Sequence, residues 1–345
     1  MEKFEDLLSQ YNYNLPEKLI AQKPASPRDM AGLLVYKKST DEVVFDKFIN
    51  IAKYLPKNSV LVFNETKVLP ARLNLKKESG GKVEILYLQK RNENLLEVLS
   101  DRKLNIGSKV LLNSKVNFLV EGQEKNIYLL KPLFAIEKFY GILERYGEAP
   151  IPPYIKNSPL SKKELKEKYQ SVFAKYQGSV AAPTASLHFT KRVLNKIKKA
   201  GIDVKFVTLH VGLGTFAPLT EKSLKTKKLH QEFYNIDKKT AEFLNKAKKE
   251  GRTIIGVGTT VVRTLESASK NGQLKNLSGK TDIFITEGYK FNFIDGMVTN
   301  FHVPKSSLLM LVSALIGRER LFGLYHLAIK KGFKFYSFGD GMLII

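Results

Sequence analysis

The chain of 345 residues contains no cysteine and no tryptophan. Without a thiol there are no disulfides, cysteine nucleophiles, iron–sulfur clusters or cysteine zinc sites. Long hydrophobic runs are missing as well. The longest strongly apolar window, Leu308–Ile316, is far too short to span a bilayer. The amino terminus, MEKFEDLL, lacks the charged-then-apolar pattern of a secretion signal. The expectation is a cytoplasmic protein that makes no use of a membrane. Five histidines are present, but none forms an HxH or HxxxH pair and no carboxylate sits at ligand spacing beside them. No metal is expected. Repeats and low-complexity tracts are absent too.

Arginine is scarce: the 57 basic residues comprise 10 Arg and 47 Lys, and the net charge is +24. A lysine surplus of this kind can reflect composition alone, since Arg is the better marker of shaped phosphate recognition. So large a charge still creates a field that attracts polyanions. Basic residues crowd in Ser161–Ala200, with ten Lys/Arg against two Glu. Solvated helix faces and an RNA footprint explain this equally well. Hydrophobic content of 43% and charged content of 26% are those of an ordinary globular protein long enough for two domains.

The texture changes along the chain. Leu33–Tyr36 and Val60–Phe63 read as strands, the second leading into NETKVLPARL. From about Leu73 to Ile142, short alternating segments such as KVEILYL, LLEVLS and NIYLL are separated by Gly, Asn and charged turns. That spacing predicts a small antiparallel barrel. A stiff Pro-rich connector, EAPIPPYI, follows. Beyond it, apolar strands at Val204–Leu209, Thr253–Gly258, Asp282–Thr286 and Phe333–Phe338 alternate with helices near 239–250, 260–270 and 306–316. The predicted fold is α/β: a discontinuous α/β main domain, barrel-like or layered, over residues 1–70 and 155–345. Residues 71–154 form the inserted small antiparallel β-barrel domain.

Chemistry concentrates at the joints between elements. GSVAAPTASLHFT, a short basic helix and FVTLHVGLGTF put His188, His210, Gly212 and Gly214 where side chains reach a cleft. Thr190 reads as the helix N-cap, Phe189 as a staple against Leu194, Val193, Leu194 and Ile197 as the buried stripe, and Gly201 as the stop. After Thr253–Gly258, the amides and hydroxyls of Thr259 and Thr260 open a helix with Arg263 one turn in, an anion or carboxylate site. His302 and Lys305 precede a helix capped by Ser306, and Asp340 lies between two glycines. Each element alone has a bland reading: a loop histidine that hydrogen-bonds, a Gly-x-Gly turn, a capping threonine, an aspartate bonding turn amides. Joints of this kind converge at the carboxyl ends of an α/β sheet, where ligands bind.

Taken in order, these motifs resemble one family. YNLPEKLIAQKPASPRD, LVFNETKVLPARL, YQSVFAKYQGSVAAPTASLHFT, VTLHVGLGTF, VGTTVVRTLES, TDIFITEGYKF, VTNFHVPKSSLLMLVSAL and FYSFGDGMLI are similar to the S-adenosylmethionine:tRNA ribosyltransferase-isomerases of queuosine biosynthesis, over nearly the whole chain. The chain departs from the usual pattern at Ser186 (commonly Gly), Glu65 (commonly Asp or Asn) and Gly32 (commonly Arg). It also has Glu287-Gly288-Tyr289 in place of PGY, and GDGML in place of GDAML.

The resemblance implies an enzyme that uses S-adenosylmethionine as a co-substrate and needs no metal. Its partner is a tRNA carrying 7-aminomethyl-7-deazaguanine, and the expected state is a monomer. The ribosyl part is transferred and isomerised to give epoxyqueuosine, and adenine and methionine leave. The proton carriers expected for it are His188 and His210. Asp340 and Glu232 are expected to bind the cationic amine or ribose hydroxyls. The Gly212–Gly214–Thr215 turn and the start of the Thr259, Thr260, Arg263 helix would hold ribose and methionine carboxylate, with His302 and Lys305 nearby. Of the aromatics Tyr169, Phe173 and Tyr176, one or more is expected to stack on anticodon bases, the alternative being packing against the core, which Phe173 favours more than either Tyr. Two rivals are a methyltransferase using the same cofactor and a non-catalytic RNA-binding module.

Overall fold

The computed structural model describes residues 4–212 and 219–345. Its centre is an open nine-stranded sheet, so the main unit is layered and not barrel-like. In spatial order the strands are Ser278–Ile283, Lys228–Asn235, Asp203–Leu209, Val60–Asn64, Ile254–Val257, Gly296–Asn300, Gly341–Ile344, Gly32–Lys37 and Glu42–Lys47. Four neighbours from Asp203–Leu209 to Gly296–Asn300 are parallel. The strand Gly341–Ile344 runs antiparallel to them and parallel to Gly32–Lys37.

Both faces of this sheet are covered, which is why its strands read as unbroken apolar runs. Successive side chains of a strand point to opposite faces. Leu61 and Phe63 pack with Phe189, Val193 and Ile197 on one side. Val60 and Val62 pack with Leu244, Val261 and Leu265 on the other. The helix Lys191–Lys199 is capped by Thr190, whose hydroxyl accepts from the Val193 amide at 3.3 Å. It stops at Gly201, where φ is +72°, a value a glycine adopts without strain.

Six antiparallel strands between Arg72 and Pro132 close into a barrel. Alternate residues such as Leu73, Leu75, Val83, Ile85, Val98 and Val120 fill it, and Phe139 and Leu143 of the helix Phe139–Tyr146 join that core. The chain enters and leaves side by side: Arg72 and Glu148 exchange backbone hydrogen bonds of 3.1 and 2.9 Å. Gly147 makes this crossing possible, since a Cβ there would lie 1.9 Å from the Pro70 carbonyl oxygen.

Two strand expectations change and one strand is added. Phe333–Phe338 makes only an isolated bridge, Phe335 with Ile20, and the last strand is Gly341–Ile344. The aromatics explain it: Phe335 is fully buried in the main core while Tyr336 takes a left-handed φ of +72°. A strand expected at Asp282–Thr286 lies earlier, at Ser278–Ile283, and Gly296–Asn300 is a central strand that the alternation did not reveal.

Candidate active site

Parallel pairing brings four carboxyl ends to one edge of the sheet: Asn64, Leu209, Val257 and Asn300. Asn300 pairs with Gly341, and Gly341 with Leu33, so the turns holding Asp340 and Gly32 reach the same edge. Two asparagines fasten it. Asn64 Oδ1 accepts from the amides of Thr66 and Leu209, both at 3.1 Å. Its Nδ2 donates to the Leu209 carbonyl at 2.9 Å and to Thr260 Oγ1 at 3.3 Å. Asn300 Oδ1 accepts from Thr184 Oγ1 at 3.0 Å, which orients its amide so that Nδ2 donates to His188 Nε2 at 3.2 Å.

His188 is thereby fixed. Its Nε2 accepts, so the proton sits on Nδ1. The ring stacks on Phe48 at 4.7 Å between centroids and is only 4% exposed. Burial, with a small addition from the Arg28 charge, pushes the imidazole down to about 4. His188 is a neutral ring behind the cavity wall, with Asn300 between it and the cavity.

That cavity is lined by Tyr154, Thr259, Thr260, Asn300, His302 and Tyr336 among others. It leaves about 50 Å³, against roughly 300–1,000 Å³ for typical small-molecule sites. His302 Nε2 lies 2.8 Å from Thr299 Oγ1, and its backbone amide donates to Tyr325 Oη at 2.8 Å. Burial pushes this imidazole down to about 3. Gly258, at φ +94°, turns the chain so that Thr259 and Thr260 open the helix Thr259–Ala268 at the cavity.

A second, smaller cavity adjoins the first, sharing Leu308, and contains Glu232 and Arg263. The two form a buried ion pair through Arg263 Nη1 and Glu232 Oε2. Glu232 Oε1 accepts from the Gly212 amide at 2.9 Å, and Arg263 Nε donates to the Ile283 carbonyl at 3.4 Å. Arg263 Nη2 is buried with no hydrogen-bond partner among the described residues. A guanidinium with one unspent edge is suited to an incoming carboxylate or phosphate.

The remaining expected residues are dispersed. His210 sits at the end of Asp203–Leu209, half-buried, with Nδ1 2.9 Å from Thr66 Oγ1. Burial lowers its basicity. Asp340 is in another cleft with Lys334 and Phe338; both its oxygens are taken by backbone amides, Gly32 and Lys334, each at 2.6 Å. Burial raises its carboxyl, opposed by those two bonds. A side chain at Gly32 would meet Phe333 at 2.9 Å and the Asp340 carboxyl carbon at 3.0 Å, so the turn is packed shut on a glycine. Gly214 and Thr215 lie outside the described residues. Among the described residues no group of three or more His, Asp or Glu could hold a metal ion, and no helix is long and apolar enough to cross a membrane.

The expected aromatic platform also changes. Tyr169 is fully buried, edge-on to Phe338, and Phe173 packs on Phe63 and Phe206. Tyr176 alone of the three is exposed, with the Lys175 ammonium 4.8 Å above its ring. Asn64, Asn300, Thr66 and Ser179 were not singled out from the sequence. The signal for the asparagines is a polar residue closing an apolar run, as in LVFN and MVTN.

Residues 8–344 match the family described as queuosine biosynthesis protein. The chain belongs to that family. Relatives named S-adenosylmethionine:tRNA ribosyltransferase-isomerase, from Thermoanaerobacter sp. (strain X514) and Carboxydothermus hydrogenoformans, are each 45% identical over 343 residues, 98% of this chain and 99% of theirs. Among solved structures, the S-adenosylmethionine tRNA ribosyltransferase of Thermotoga maritima is 30% identical and superposes with a TM-score of 0.56, covering 97% of this chain and 100% of that one. The family model thus spans the central sheet, the barrel and both adjoining cavities together.

Proposed function

We propose that this family member transfers and isomerises the ribosyl moiety of S-adenosylmethionine onto 7-aminomethyl-7-deazaguanine at a tRNA wobble position. The product is epoxyqueuosine-tRNA, with adenine and methionine released. The observation that carries this reading is end-to-end similarity, 45% over 98% of the chain, to proteins bearing the corresponding name. Residues 1–70 and 155–345 act as the catalytic unit and 71–154 as an inserted unit, working as a cytoplasmic monomer.

The chemistry asks for three things: removal of a proton beside the sulfonium, a donor to the departing adenine, and a neutral amine nucleophile. His210 is our choice of base, because burial disfavours its protonated form and its Nε2 has no partner among the described residues. His188 acts indirectly, holding Asn300 in the cavity wall. The first amides of the helix Thr259–Ala268 and the spare edge of Arg263 take the methionine carboxylate. Glu232 balances that guanidinium and ties it to Gly212. Tyr154, Tyr336 and His302 border the nucleoside space, whereas Asp340 braces the Gly32 turn beside a separate cleft. The basic stretch Lys162–Lys199 and the barrel receive the anticodon arm, with Tyr176 free to stack on a flipped-out base.

Incubation with S-adenosylmethionine and substrate tRNA tests this by mass spectrometry. Free adenine and methionine, dependent on the modified tRNA, are expected. Release of S-adenosylhomocysteine means methyl transfer, and no turnover with tight tRNA binding means a binding module.

A further inference from the structure

We propose that Thr66 is a positioning residue that fixes the tautomer of His210, so that Nδ1 carries the proton and Nε2 keeps its lone pair. The proposal rests on the reading of His210 as a base, but the bond it describes stands without that reading.

The argument is a count of protons and lone pairs. A hydroxyl has one proton to donate and two lone pairs to fill. Thr66 Oγ1 has three neighbours: Ser179 Oγ at 2.7 Å, His210 Nδ1 at 2.9 Å and the Tyr176 carbonyl oxygen at 3.4 Å. Ser179 Oγ accepts from the Val211 amide at 2.8 Å, which leaves its own proton available for Thr66. The Tyr176 carbonyl can only accept. If Thr66 donates to it, one lone pair of Thr66 takes the Ser179 proton and the other takes His210 Nδ1–H, and all three contacts are satisfied. The opposite tautomer spends the Thr66 proton on Nδ1 and leaves the Tyr176 contact unfilled.

The ring's place is set by other groups. A Cβ at Gly178 would lie 2.7 Å from His210 Cγ and Nδ1, so only glycine lets the ring sit there. Phe233 lies nearly parallel to it at 6.1 Å, and the His210 amide donates to the Phe233 carbonyl at 2.9 Å. Position is thus fixed by packing, and Thr66 decides which nitrogen is protonated. At metal-bound histidines, a group that orients the imidazole through its other nitrogen is typically worth about 10–100-fold in activity, and the same scale is expected of Thr66.

The first test is nitrogen-15 and carbon-13 NMR of His-labelled wild-type protein, which needs no variant. The Nδ1–H tautomer is expected, and Nε2–H overturns the proposal. In Thr66→Val, which keeps the volume, the ring should move to the Nε2–H form. There kcat should fall about 10–100-fold with KM within about threefold, and Thr66→Ser should restore both. An unchanged tautomer in a folded Thr66→Val protein, or lost activity that Thr66→Ser does not rescue, refutes it. The companion variant His210→Ala separates the two readings. Near-normal turnover there removes His210 as the base while leaving the tautomer result standing.

Discussion

Replacing Glu232 by Gln isolates the buried ion pair at the second cavity. Both partners are almost wholly inaccessible, with side chains 1% and 6% exposed. The amide keeps the shape and can still accept from Gly212, so the loss is the charge. Arg263 then remains buried with no counter-charge and with Nη2 already unsatisfied. Breaking such a pair from one side costs about 3–5 kcal/mol. For 345 residues, an unfolding entropy of about 2.1 cal/mol/K per residue converts this to a fall in Tm of about 4–7 °C. Arg263→Met alone should also lower Tm, because it removes the guanidinium paired with the buried Glu232 carboxylate. Both replacements together should cost far less than the two added, since neither charge is left alone. Thermal unfolding followed by circular dichroism reads all four proteins. Simple additivity would refute the reasoning, because it would mean the two groups do not depend on each other.

Other expectations concern single groups. His188 and His302 are held down at about 4 and about 3, against 6.5 for an unburied imidazole. In each case the unfolded chain binds the proton first, so their contribution is complete above about pH 6.5 and is lost as pH falls toward 4. The difference in urea stability between pH 7 and pH 4.5 should shrink by about 3 kcal/mol in His302→Gln; an identical pH profile would refute it. Ser186 is fully buried and its hydroxyl has no partner among the described residues. Ser186→Ala should therefore raise urea stability by about 1 kcal/mol, and a loss of that size would show a missed partner. Binding of an anticodon stem–loop should weaken with salt and weaken further in Tyr176→Ala. Tyr169→Ala should instead destabilise the fold by about 3–5 kcal/mol. A flat salt response would count against an electrostatic docking surface.

Much of this protein can be read one residue at a time. Thr190 and Gly201 bound their helix, the alternation of Leu73, Leu75, Val83 and Ile85 announces a barrel, and the apolar runs around Val60 and Val204 announce buried strands. These are local matters of capping, left-handed φ and period-two burial, which short stretches of chain settle for themselves. The reading of Phe333–Phe338 as a strand failed because its aromatics satisfy a distant core and not a ladder. Strand order could not be read either, since nothing near Asn64 reveals that Leu209 and Ile254 will lie beside its strand.

The sequence by itself determined the family, the absence of thiol chemistry and the location of polar residues at element ends. Only the tertiary structure decided which of those residues meet. Thr259, Thr260 and His302 share a cavity, and Glu232 and Arg263 pair beside it. His188 withdraws behind Asn300, Asp340 is spent on two backbone amides, and Thr66, unremarkable in the sequence, reaches His210. The reason is that a joint's chemistry depends on direction and burial, and both are set by neighbours far away along the chain.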